Sequence, residues 1–79
     1  MNGIGKNLKR IRLLKKISLK EAGVLLNMSA TAVSKYEKGI IIPDSKKVID
    51  FANAYNVKTI DILKVYDVPK MKFDRLEKK

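Results

Sequence analysis

The stretch SLKEAGVLLNMSATAVSKYEK, Ser18 to Lys38, decides the fold. Ser18 with Glu21 three residues on is a capping box, in which the hydroxyl accepts a first-turn amide and the carboxylate reaches back to the cap amide. A helix therefore starts at Ser18, with Ala22, Leu25 and Leu26 as its apolar positions. Gly23 lies among them. A mid-helix glycine costs about 1 kcal/mol against alanine, and is tolerated where another helix passes too close for a side chain. The helix ends near Leu26, and Asn27 suits the left-handed residue that follows. Ser29 can cap a next helix, about Ala30 to Lys38, which Gly39 stops. Val33 and Tyr36 point one way from it; Ala30, Thr31, Ser34, Lys35 and Lys38 point another. Two helices joined this tightly must cross at a steep angle.

Outward from this pair, Ile4, Leu8 and Ile11 form one apolar stripe on a helix from about Ile4 to Lys15. Lys6, Lys9, Arg10, Lys15 and Lys16 cover its other faces. On the other side, Gly39 and Pro43 bracket a loop holding Ile40, Ile41 and Ile42. This run reads either as an extended stretch folded onto the core or as an exposed contact patch. Asp44 or Ser45 caps a fourth helix, about Lys46 to Tyr55, with Val48, Phe51, Ala52 and Tyr55 on one face. Asn56 suits a left-handed stop, and Val57 returns to the core. Thr59 then caps a short fifth helix carrying Ile60, Ile62 and Leu63 and ending near Tyr66. The expected architecture is all-α, a compact five-helix bundle with no sheet. Residues 1–66 make the domain; residues 67–79 are a tail or the start of a further segment.

The chain has 79 residues, 18 of them Lys or Arg and 8 Asp or Glu, for a formal charge of +10. That field attracts polyanions: nucleic acid first, then an anionic membrane surface or an acidic protein. Without Cys or His, disulfides, Cys/His metal sites and Cys- or His-based catalysis are excluded. The few carboxylates are scattered on helices and no Gly-rich phosphate loop is present, so neither an enzyme nor a cofactor is expected. No apolar run approaches the ~20 residues that span a bilayer, and the expected location is cytosolic.

Residues Ile4 to Leu63, roughly three quarters of the chain, resemble the phage-repressor, Cro and Xre type of helix-turn-helix domain. The marks are Ile4, Gly5, Leu8, Ile11 and Arg12, then Ser18, Ala22, Gly23, Leu26, Met28, Val33 and Tyr36. Glu37-Lys38-Gly39, Pro43, Phe51-Ala52, Tyr55-Asn56-Val57, Asp61 and Leu63 complete the set. Leu19 stands where the family usually has Gln, Asn27 where it has the turn Gly, and the Ile run where it has a polar loop. The resemblance implies a lambda-repressor-like fold and a transcriptional regulator, a repressor, that binds a palindromic double-stranded DNA site as a homodimer. It also implies an ion pair between Arg12 and Glu37, joining the first helix to the third; the plainer reading is two unrelated surface charges.

A major groove admits a helix whose outer face is polar or small. Ala30, Thr31 and Lys35 are accordingly the candidate base-reading residues. Ser29, Ser34, Lys38, Lys20, Lys46 and Lys47 are candidate phosphate contacts. Candidate dimer contacts are Ile40 to Ile42, the fifth helix around Ile62 and Tyr66, and the tail. A different class stays open: a protein-interaction module, such as the antitoxin of a toxin–antitoxin pair, whose tail folds on a partner. A membrane-surface peptide fits only the first helix.

Overall fold

The computed structural model describes residues 3–64. Its five helices are α1 (Gly3–Leu14), α2 (Leu19–Leu26), α3 (Ala30–Glu37), α4 (Ser45–Tyr55) and α5 (Thr59–Leu63), with no strand among the described residues. The starts of α2, α3 and α4 have local causes. Ser18 Oγ accepts the Glu21 amide at 3.0 Å, and Glu21 Oε1 accepts the Ser18 amide at 2.8 Å, the full capping box. Those hydrogen bonds hold the Glu21 carboxyl below its ordinary pKa. Ser29 Oγ accepts the Ala32 amide at 3.0 Å. Asp44, not Ser45, caps α4, its Oδ1 accepting the Lys47 amide at 2.8 Å.

The fifth helix departs from expectation at both ends. Lys58 is its N-cap and Thr59 its first helical residue. The orphan amide of Lys58 is satisfied from within the helix, by Asp61 Oδ2 at 3.1 Å, so no hydroxyl is needed. The helix stops at Leu63 rather than near Tyr66, with Lys64 already extended. Buried Asn7 on α1 accounts for this: its Nδ2 donates to the carbonyls of Ile62, at 2.7 Å, and of Lys64. Tyr66 and the segment 67–79 lie outside the described residues.

The first four helices end alike. A residue with positive φ (Lys16 at 59°, Asn27 at 57°, Gly39 at 80°, Asn56 at 56°) turns the chain. The amide after each donates back to the carbonyl five residues before it: Ile17 to Arg12, Met28 to Gly23, Ile40 to Lys35 and Val57 to Ala52, all at 2.9–3.0 Å. Such closures satisfy carbonyls that the helix leaves free. Asn27, Gly39 and Asn56 match the sequence reading, whereas Lys16 is an unforeseen left-handed residue.

Leu8, Ile11, Ala22, Val33, Val48, Phe51, Ala52, Tyr55 and Ile62 form the buried core, one or more from every helix. Phe51 meets Tyr36 edge-on at 5.3 Å and Tyr55 at 5.8 Å. Leu25 is no part of this core: it is 55% exposed. The inward line of α2 runs through Leu19, Ala22, Gly23 and Leu26, which turns Leu25 and Val24 outward. Ile62 is fully buried, so it is not a surface for a second copy. Of the isoleucine run, Ile40 and Ile42 are exposed while Ile41 is half-buried, so the run divides between the two readings.

Gly23 is fixed by the turn rather than by a passing helix. A Cβ there would stand 2.5 Å from the Met28 carbonyl oxygen and 3.3 Å from the Ala30 nitrogen. Both are backbone atoms that cannot rotate away. Gly23→Ala should therefore destabilise the domain by about 1–3 kcal/mol, the cost of overpacking, although helix propensity alone favours Ala. Urea denaturation of the two proteins reads this; a more stable variant would refute it.

Candidate nucleic-acid interface

The third helix is held from within and presents its other side to solvent. It packs on α2 and α1, with Val33 buried and Tyr36 against Phe51. Thr31, Lys35 and Lys38 are exposed on its outer side, and Ala30 and Ser34 are half-buried beside them. Ser29 is exposed at the N-terminus, its hydroxyl engaged in capping. Lys20 belongs to the same surface: with Asn27, Ser29 and Ala30 it lines an open groove between α2 and α3. Lys46 and Lys47 stand on the first turn of α4. Lys46 is exposed; Lys47 is half-buried, with its Nζ 3.6 Å from Asp50 Oδ2, a nearby carboxylate that competes for its charge.

The orientation of α3 is set by Arg12 and Glu37. Arg12 Nε donates to Glu37 Oε2 at 2.6 Å and Nη2 donates to Oε1 at 3.2 Å, a two-pronged bond from α1 to the last residue of α3. Arg12 Nη1 donates to the Ile17 carbonyl at 2.9 Å. The side chains are only 8% and 5% exposed, so neither is the surface charge that its position on the helix suggests. The hydrogen bond to Glu37 raises the Arg12 pKa despite burial. The hydroxyl of Tyr55 is buried with no hydrogen-bond partner among the described residues. Burial first, and then the negative charge of Glu37, push it up to about 12.

A model of the helix-turn-helix family matches residues 8–63. The chain belongs to that family, in its Xre and lambda-repressor branch. The fold is similar to that of the P22 c2 repressor, solved in complex with a synthetic operator in the presence of Tl+. The TM-score is 0.71 at 20% identity, covering 81% of this chain and 97% of that one. It is similar also to Bacillus thuringiensis PlcR, solved with the peptide PapR7 and DNA. There the TM-score is 0.71 at 20% identity, covering 89% of this chain but 25% of PlcR. A search of curated protein sequences returns no match.

Within this helix-turn-helix protein, α2 and α3 are the motif, and the backbone contact at Gly23 sets how closely they approach. Asn7, which staples α1 to the end of α5, escaped the sequence reading. Its signal was present: it is the one uncharged polar residue beside the stripe of Ile4, Leu8 and Ile11.

The tyrosine gives a pH test. A raised folded-state pKa means that the contribution of neutral Tyr55 is fully present below pH 10 and is lost as pH rises towards about 12. Stability of the native protein should fall across that window more steeply than that of Tyr55→Phe. Chemical denaturation at a series of pH values measures the difference; parallel curves would show that Tyr55 titrates as it does in the unfolded chain.

Proposed function

We propose that this chain is a sequence-specific, double-stranded DNA-binding transcriptional regulator, a repressor that enters the major groove with α3. The observation that carries this is the outward face of α3: Thr31 and Lys35, one helical turn apart and both exposed, on a helix fixed to α1 by a buried ion pair. Membership of the family supports it, as do the two similar structures, each a protein in complex with DNA. So does the charge of +10, which draws the protein to DNA before any base is read.

In this reading Lys35 donates to guanine O6 or N7, and Ala30 or the Thr31 methyl meets a thymine methyl. Ser29, Ser34, Lys38 and Lys20 hold phosphates, with the free amides at the α3 N-terminus reinforcing Ser29. Lys46 is a further phosphate contact, and Lys47 joins it by giving up Asp50. Two copies on a palindrome would place their α3 helices about 34 Å apart, one turn of the duplex. The exposed Ile40 and Ile42 remain available for that pairing.

Selection of sites from random duplex DNA tests the reading, since it returns both sequence and symmetry. The expected outcome is an enriched palindrome whose affinity falls steeply with salt. Enrichment of no sequence would sink the proposal. On the selected site, Lys35→Ala should cost on the order of 1–3 kcal/mol and relax preference at one or two base pairs. A uniform loss on every sequence would instead make Lys35 a phosphate contact.

A further inference from the structure

The outward face of α1 carries a second pattern that recognition of DNA by α3 does not use. Leu8 and Ile11 turn inward, together with Asn7 and Arg12. On the opposite side, Lys6, Lys9, Arg10, Leu13 and Leu14 line a shallow open groove along the helix. Leu13 and Leu14 are 55% and 71% exposed. No carboxylate occurs between Gly3 and Leu14, and Lys15 and Lys16 extend the positive charge past the helix end. Arg10 donates through Nη2 to Asn7 Oδ1 at 3.1 Å, which steadies it at the edge of the groove. The next acidic residue along the chain, Glu21, is engaged by its cap.

We propose that this face docks an acidic, amphipathic segment of a partner protein, its leucine-like residues on Leu13 and Leu14 and its carboxylates on Lys6 and Lys9. Two adjacent leucines offer nothing to phosphates, whereas an acidic helix with an apolar seam answers both halves of the pattern. A membrane surface is a poorer match. Insertion needs a broad apolar face, and the apolar stripe of α1 is already spent on the core. The position also leaves DNA binding undisturbed. None of the residues assigned above to DNA lies on α1, and the residue by which α1 holds α3, Arg12, is on its buried side.

The test titrates the full chain, without DNA, with a synthetic helical peptide carrying leucine on one face and glutamate on the other. A scrambled peptide of the same composition and charge is the control. Amide shifts in NMR spectra should change along α1, at Lys6, Lys9, Leu13 and Leu14. The scrambled peptide should bind more weakly. The double substitution Leu13→Gln and Leu14→Gln keeps helix-forming residues at exposed positions. It should lower affinity for the amphipathic peptide by about tenfold or more while leaving DNA affinity and thermal stability unchanged. Equal binding of both peptides, shifts centred on α3, or indifference to the double substitution would overturn the proposal. So would tighter binding of this face to anionic phospholipid vesicles than to the peptide. Because the titration contains no DNA, its result is independent of whether α3 reads DNA.

Discussion

The buried bond between Arg12 and Glu37 is the constraint on which the placement of α3 depends. Taking a guanidinium and a carboxylate out of water costs several kcal/mol each. Their mutual attraction offsets this only where geometry is good and the remaining donors find acceptors. Here the carboxylate takes two donors, and a third donor of the same guanidinium meets the Ile17 carbonyl. The pair is therefore weak evidence for extra stability and better evidence for a fixed orientation. An apolar pair of similar volume would fill the space equally well. It would not tie the end of α3, by directional bonds, to α1 and to the turn that follows α1.

A second constraint acts at the other end of α3. Gly23 lets the Met28 carbonyl and the Ala30 amide come closer to α2 than any side chain would allow. The left-handed Asn27 turns the chain between them. Ser29 then caps α3 within the same few residues. Position at the N-terminus of α3 is thus set by backbone contact, and direction at its C-terminus by charge. The aromatic contact of Tyr36 with Phe51 lies between the two and fixes rotation about the helix axis.

What was legible in the sequence follows from how local each signal is. The Ser18 and Glu21 box, the Ser29 cap and the left-handed Asn27 and Asn56 are decided within a few residues, and all stand as read. Val48, Phe51, Ala52 and Tyr55 were readable because one face of a long helix repeats its apolar residues regularly. The misses needed information from elsewhere in the chain. Leu25 reads as core by spacing, but α2 is short, and the close approach at Gly23 sets its rotation. Thr59 carries a capping hydroxyl and Lys58 has none, yet Lys58 is the cap because Asp61 accepts its amide from within the helix. The early end of α5 depends on Asn7, more than fifty residues away. Lys16 takes a left-handed conformation with no glycine or asparagine to announce it. The family pattern anticipated which residues pair, Arg12 with Glu37, but not that both would be buried.

At the candidate site, the exposed positions of Thr31, Lys35 and Lys38 follow from helical spacing alone, since Val33 and Tyr36 fix the inward side. That α3 can be a helix at all does not. It has eight residues, and isolated helices shorter than about twelve to fifteen residues are marginal in water. Its own residues include Thr, Val, Ser and Tyr, none a strong helix former. Cap, ion pair and core contacts supply what propensity does not. At about 1.5 Å per residue its length is only about 12 Å. A longer helix would be more stable by itself. A helix this short must be held by the rest of the domain, so the contacts that keep the chain folded are also those that aim Thr31 and Lys35 outward.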